Sequence, residues 1–163
     1  AVFSPSIVEY DGKLVMVYTG YCVTDCGDKA GVHILAATSI DGVIWNKENN
    51  PIIRKEDFPE AKDGIAEVAL VNGNDDYYYL FYSLLLAKGQ EIGVARSKTP
   101  FGPWEINRTP IVTMADTKFT KKGVLSPSVI LKDGVAHMWF HGTTGSNLSI
   151  GYATSSLPLY GSK

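Results

Sequence analysis

The stretch Ile65-Ala66-Glu67-Val68-Ala69-Leu70-Val71, Asn72-Gly73, Tyr77-Tyr78-Tyr79-Leu80-Phe81-Tyr82 and Ile92-Gly93-Val94-Ala95-Arg96-Ser97 decides the fold. Short runs of β-branched and aromatic residues are bounded by Gly, Asn and Asp, the pattern of strands joined by turns. Asn-Gly suits a hairpin turn that needs positive φ. The tyrosine-rich run is nearly all apolar, so it reads as a middle strand covered on both faces. Gly102-Pro103-Trp104 and Thr109-Pro110-Ile111-Val112 close the unit. No stretch carries the 3.6-residue apolar stripe of a helix.

The same order of signals stands on either side. Upstream come Val2-Phe3-Ser4-Pro5-Ser6-Ile7-Val8, Asp11-Gly12, Leu14-Val15-Met16-Val17-Tyr18, Val32-His33-Ile34-Leu35-Ala36-Ala37-Thr38-Ser39 and Trp45. Downstream come Val124-Leu125-Ser126-Pro127-Ser128-Val129-Ile130, Asp133-Gly134, Met138-Trp139-Phe140 and Ile150-Gly151-Tyr152-Ala153-Thr154-Ser155. Ser39, Ser97 and Ser155 stand 58 residues apart, and Trp45 and Trp104 stand 59 apart. A four-stranded antiparallel unit recurring at this period predicts propeller blades. A sandwich would not recur in its own sequence every three or four strands. The expected architecture is therefore all-β: a partial β-propeller of about three four-stranded antiparallel blades. The predicted blades are 1–56, 57–115 and an incomplete 116–163. Closed propellers use about 4–8 blades, so the chain is expected to be a fragment or a protomer whose ring a second copy completes. Open apolar end faces favour such self-association.

Composition narrows the function. Of 163 residues, 45% are hydrophobic and 20% charged, with a net charge of −2. No Lys/Arg cluster is present to track phosphates, which argues against nucleic acid. No apolar run approaches the roughly 20 residues of a membrane-spanning helix. Compartment is not readable. Cys22 and Cys26 read as loop thiols or, in an exported protein, a local disulfide. No second pair stands at zinc-ligand spacing.

The middle unit, Glu67-Val68-Ala69 through Ile92-Gly93-Val94-Ala95-Arg96-Ser97 to Phe101-Gly102-Pro103-Trp104-Glu105, resembles glycoside hydrolase family 43. The flanking Ser-Pro-Ser, Asp-Gly and Ala-Thr-Ser motifs are similar to neighbouring blades of that superfamily. The resemblance spans the whole chain and about half of a family member. It implies a five-bladed propeller acting on arabinan- and xylan-type sugars, hence an oligosaccharide or polysaccharide partner. It also implies three carboxylates around a central channel: an aspartate base, a tuning aspartate and a glutamate acid. Glu67 matches the acid, although Val68-Ala69 replace the expected glycine context. Ser6 stands where the tuning aspartate is expected, and the base falls on a blade before residue 1. The resemblance implies no cofactor, with room for a channel ion such as calcium.

Glu67 is the catalytic candidate. An apolar strand would keep its carboxyl protonated, as a general acid requires. The opposing reading is a strand-end glutamate facing solvent or a lysine. Asp63 and Asp116 are candidate bases if a second copy completes the channel. His141, Arg96, Ser6 and Trp45 are substrate-binding candidates. His137, Trp139 and His141 share one strand face, and His141 aligns with Thr19 and Ser83. Trp45 and Trp104 recur at one place, which also suits packing between blades. Ser4, Ser6, Ser126 and Ser128 read as turn or strand-edge serines, since no base accompanies them. The rival to an enzyme is a non-catalytic sugar-binding or scaffolding half-propeller.

Overall fold

Strands fill most of the chain because β-branched and aromatic runs alternate with residues that tolerate positive φ. The computed structural model describes residues 1–22, 31–144 and 147–159. The first sheet holds β1 (Val2–Tyr10), β2 (Lys13–Cys22), β3 (Gly31–Ser39) and β4 (Asn46–Lys47). The second holds β5 (Ile65–Asn72), β6 (Tyr78–Leu86), β7 (Gly89–Ser97) and β8 (Glu105–Ile106). The third holds β9 (Gly123–Lys132), β10 (Val135–Thr143) and β11 (Leu148–Ser156). Within each sheet, neighbours pair antiparallel in chain order. Two short 3-10 turns, Lys55–Asp57 and Met114–Asp116, precede the second and third sheets.

Among the described residues the sheets meet edge to edge only at single parallel bridges. Val32 pairs with Gly64 between the first two, and Gln90 with Gly123 between the last two. In both cases the start of a third strand touches a glycine at the start of the next blade, Gly64 just before β5 and Gly123 as the first residue of β9. Gly64 has a φ of +93°, and a Cβ there would stand 2.6 Å from the Val32 carbonyl oxygen. Glycine is therefore required for that approach. Beyond these bridges the sheets pack face to face, with β1 against β5 and β5 against β9. This is the arrangement of propeller blades, with the first strands innermost.

The core lies between blades. Val17, Ile34, Leu70, Leu80 and Tyr82 fill the first junction. Phe81, Val94, Val129, Met138 and Phe140 fill the second. Residues of β6 alternate between these two layers, so Tyr78 through Leu84 are all buried. The expectation of a doubly covered middle strand holds for β6 alone. In β2 and β10 burial alternates, because the first and third blades each have one uncovered face.

Turn chemistry follows the sequence at two of three places. Asp11 and Gly12 have φ of 50° and 68°, and Asp133 and Gly134 have 52° and 74°, as a two-residue primed hairpin turn needs. Asn72-Gly73 does not form the predicted tight turn. Asn72 ends β5, and the chain reaches β6 only at Tyr78. Asp75 holds this longer loop: its carboxylate accepts the Tyr77 N–H at 3.3 Å and the Tyr79 hydroxyl at 2.6 Å. Burial, reinforced by that bond, pushes the Tyr79 phenol well above its usual value. Of the two readings for the cysteines, the disulfide applies to Cys22; Cys26 lies outside the described residues.

Phe81 is 2% exposed between the second and third blades. Phe81→Ala should lower stability by about 3–5 kcal/mol, whereas Val43→Ala, at a position 80% exposed, should stay within about 0.5 kcal/mol. Urea denaturation of both variants measures the contrast.

Candidate active site on the inner strands

Each inner strand breaks its pairing register once, at the same depth. The shift falls between Phe3 and Ser6 in β1, between Ala66 and Ala69 in β5, and opposite Trp139 to His141 in β9. At each bulge one residue adopts the left-handed conformation: Ser4 at φ 51°, Glu67 at 53° and Ser126 at 53°. None is glycine, so each carries a cost of order 1–3 kcal/mol, and such strain clusters at functional sites. The following Pro5, Val68 and Pro127 also line up, which explains the recurring Ser-Pro pairs of the outer copies.

These bulges converge on a cavity of about 280 Å³ lined by Ser4, Ser6, Glu67, Ser126 and Ser128 among others. Glu67 also lines a second cavity, of about 330 Å³, with Asp63, Phe3 and Tyr21. Its carboxylate is half-buried and anchored on one oxygen. Oε2 accepts the Ser83 hydroxyl at 2.7 Å and the Ser126 N–H at 3.1 Å. The Ser83 oxygen itself accepts the Ser126 N–H at 2.9 Å. One blade earlier, the Glu67 N–H donates to Thr19 Oγ1 at 3.0 Å. The expected apolar surroundings of Glu67 are thus replaced by a hydroxyl and an amide. Both donors engage Oε2, so Oε1 is the carboxylate oxygen that they leave uncommitted.

The remaining sequence candidates are scattered. Ser6 lines the axial cavity, but its hydroxyl bridges blades: it accepts the Leu70 N–H at 2.9 Å and approaches the Leu70 carbonyl at 3.3 Å. By register Ser6 corresponds to Ala69, and the counterpart of Glu67 in the first blade is Ser4. Arg96, on β7, donates to Glu105 at 2.7 Å and lies 4.5 Å over the Tyr77 ring. That bond holds its guanidinium above the usual value. Trp45 lines a separate cavity on the uncovered face of the first blade. Its counterpart Trp104 packs into the first interblade core. His141 stands on the uncovered face of β10.

Asp116 caps its 3-10 turn, accepting the Thr113 N–H at 2.7 Å and hydroxyl at 2.8 Å. These bonds hold its carboxyl below the usual range. Asp57 likewise accepts the Arg54 N–H at 2.8 Å. Among the described residues no group of three or more His, Cys, Asp or Glu could hold a metal ion. Ser83 and the Ser126 amide are the site partners that sequence reasoning missed. The alignment of Ser83 with Thr19 was the available signal.

The fold has many counterparts among solved structures. A family 117 glycoside hydrolase, Zg3597, from Zobellia galactanivorans superposes with a TM-score of 0.77 at 20% identity, covering 96% of this chain and 53% of that one. A glycosyl hydrolase from Bacteroides ovatus gives 0.71 at 21% identity, covering 94% and 46%. The GH43_1 enzyme from Xanthomonas citri, solved with xylose, gives 0.65 at 19% identity, covering 88% and 40%. The chain has the fold of propeller glycoside hydrolases. It spans about half the length of these structures. No family model matches it, and no curated protein matches it.

The Ser83 hydroxyl is buried, donates to a carboxylate and accepts an amide. Ser83→Ala should therefore cost about 1.5–3 kcal/mol of stability, read as a shifted denaturation midpoint. An unchanged midpoint would show that this anchor does not hold Glu67 or the blade junction.

Proposed function

We propose that this chain is the acid-bearing part of a carbohydrate-active propeller that hydrolyses glycosidic bonds in arabinan- or xylan-type sugars. The observation that carries the reading is Glu67, a strained non-glycine bulge residue whose carboxylate is clamped through Oε2 at the edge of the axial cavity. The sugar class draws on the sequence resemblance and on the xylose held by the Xanthomonas citri enzyme. A β-xylosidase, RS223, is also among the structures of similar fold.

In this mechanism Glu67 delivers its proton from Oε1 to the leaving glycosidic oxygen. A second carboxylate removes a proton from water as that water attacks the anomeric carbon from the opposite face. Inverting enzymes keep the two carboxyl groups roughly 6.5–9.5 Å apart to admit the water. Asp63 shares a cavity with Glu67 and is the candidate base within this chain. Asp116 is already committed to its turn. The alternative source is a blade beyond the described ones.

Blades 1–56, 57–115 and 116–163 are the proposed units. Self-association is proposed to cover the outer faces of the first and third. The Cys22 disulfide favours an oxidising compartment.

One observation favours a second reading, a non-catalytic sugar-binding half-propeller. Of the three equivalent bulge positions, only Glu67 is a carboxylate, while Ser4 and Ser126 are serines.

Hydrolysis of aryl and disaccharide arabinosides and xylosides, compared with Glu67→Gln, separates the readings. An acid role predicts a loss of about 10²–10⁴-fold. The loss should be largest for sugar leaving groups and smallest for dinitrophenyl, which departs without a proton. Equal rates in both proteins would remove Glu67 from the chemistry. Calorimetric binding of xylo- or arabino-oligosaccharides without turnover would establish the binding module.

A further inference from the structure

Equivalent positions at the two blade junctions carry different side chains. The bridges of Val32 to Gly64 and of Gln90 to Gly123 make Asp63 the counterpart of Lys122, and Glu67 that of Ser126. Phe3 pairs with Thr19, and Ala66 with Ser83, so Phe3 is the counterpart of Ala66. Tyr21 pairs with Val32 and Leu85 with Gln90, which makes these two counterparts as well. The first junction thus has two aromatic rings and two carboxylates where the second has alanine, leucine, lysine and serine. Both junctions make the same bond from a left-handed residue's amide to a buried hydroxyl. Docking of the blades therefore does not account for the aromatic and acidic set.

These four side chains border one space. Phe3, Tyr21, Asp63 and Glu67 line a cavity of about 330 Å³ together with Val32, Ala66 and Leu85. That volume falls within the roughly 300–1,000 Å³ of small-ligand sites, which pair apolar and aromatic walls with a few polar groups. Every lining residue belongs to the first blade, the second blade or the segment joining them. Phe3 and Tyr21 are diagonal neighbours on β1 and β2, a spacing that aromatic side chains can bridge. Tyr21 is 40% exposed.

The carboxylates decide the ligand. Glu67 is held through Oε2, and Asp63, the candidate base within this chain, is exposed at the same cavity. A sugar that reacts between these two groups occupies the space they share. We propose that this cavity at the first blade junction seats the reacting sugar as a six-membered pyranose ring stacked on Tyr21, with Phe3 extending the aromatic wall. The assignment rests on the glycosidase reading and narrows its sugar from arabinan- or xylan-type to xylan-type. Xylopyranose with equatorial hydroxyls presents its axial C–H groups as flat apolar faces, which complement an aromatic ring. Arabinofuranose is a puckered five-membered ring whose substituents project from both faces and interrupt such contact.

Calorimetric titration of xylotriose and arabinotriose into the Glu67→Gln chain tests the seat without turnover. Xylotriose should bind the more tightly of the two. Tyr21→Ala in that background should raise its dissociation constant about tenfold, and Phe3→Ala about threefold, through lost aromatic area. Tyr21→Phe, which keeps the ring, should recover most of the loss, whereas Tyr21→Ala should change arabinotriose binding by less than about twofold. Unchanged xylotriose affinity in Tyr21→Ala, or no xylotriose binding at all, would overturn the seat. An equal loss for both sugars would overturn the choice of a pyranose. Xylotriose binding with its full Tyr21 dependence, in a wild-type chain that hydrolyses no xyloside, would remove the acid role of Glu67 and leave the seat standing.

Discussion

The structure depends on one hydrogen bond made twice: a left-handed inner-strand residue gives its N–H to a buried hydroxyl of the preceding blade. Twisted sheets stacked face to face could slide, since apolar packing is non-directional. The bond from Glu67 to Thr19, and from Ser126 to Ser83, sets the depth at which each blade meets the next. It also explains the strain. A regular strand would point that amide into its own sheet's ladder, and the bulge turns it outward toward the neighbouring blade.

The same constraint builds the candidate site. Because the bulge exists to serve the junction, its side chain is carried to the inner edge, where cavities of about 280 and 330 Å³ adjoin Glu67. The Ser83 hydroxyl then does two jobs, accepting the amide of the third blade and donating to the Glu67 carboxylate. The blade junction and the candidate site share atoms. Serine at the other two bulges keeps the same conformation, so the bulge itself does not require a carboxylate.

Burial follows the number of covered faces. The middle blade has a neighbour on each side, and its central strand is buried along almost its whole length. The first and third blades bury one face each, and their second strands alternate. Large apolar residues on the uncovered sides, such as Ile7, Trp139 and Tyr152, are the counterparts of side chains that are core at the inner junctions. Their exposure reflects position in the array, not a different kind of strand.

Local chemistry was legible in the linear order of residues. Alternating apolar runs, Asp-Gly turns and recurring Ser and Trp spacings determined the strands, their antiparallel pairing in chain order and the blade architecture, because each depends on neighbours a few residues apart. Glu67 stood out for the same reason, as a lone charge in an apolar strand. Asn72-Gly73 misled, since the Asp75 carboxylate stabilises a longer loop than the dipeptide favours by itself. Only the tertiary structure decided what surrounds Glu67. Its partners Ser83 and Ser126 lie 16 and 59 residues away and meet it through a register shift and a blade junction. Arg96 and Trp45 were placed elsewhere by Glu105 and by an uncovered sheet face, neither of which local pattern reveals. Hydrogen bonds between distant segments depend on angstrom-scale docking of whole sheets, and residue order alone does not carry that distance.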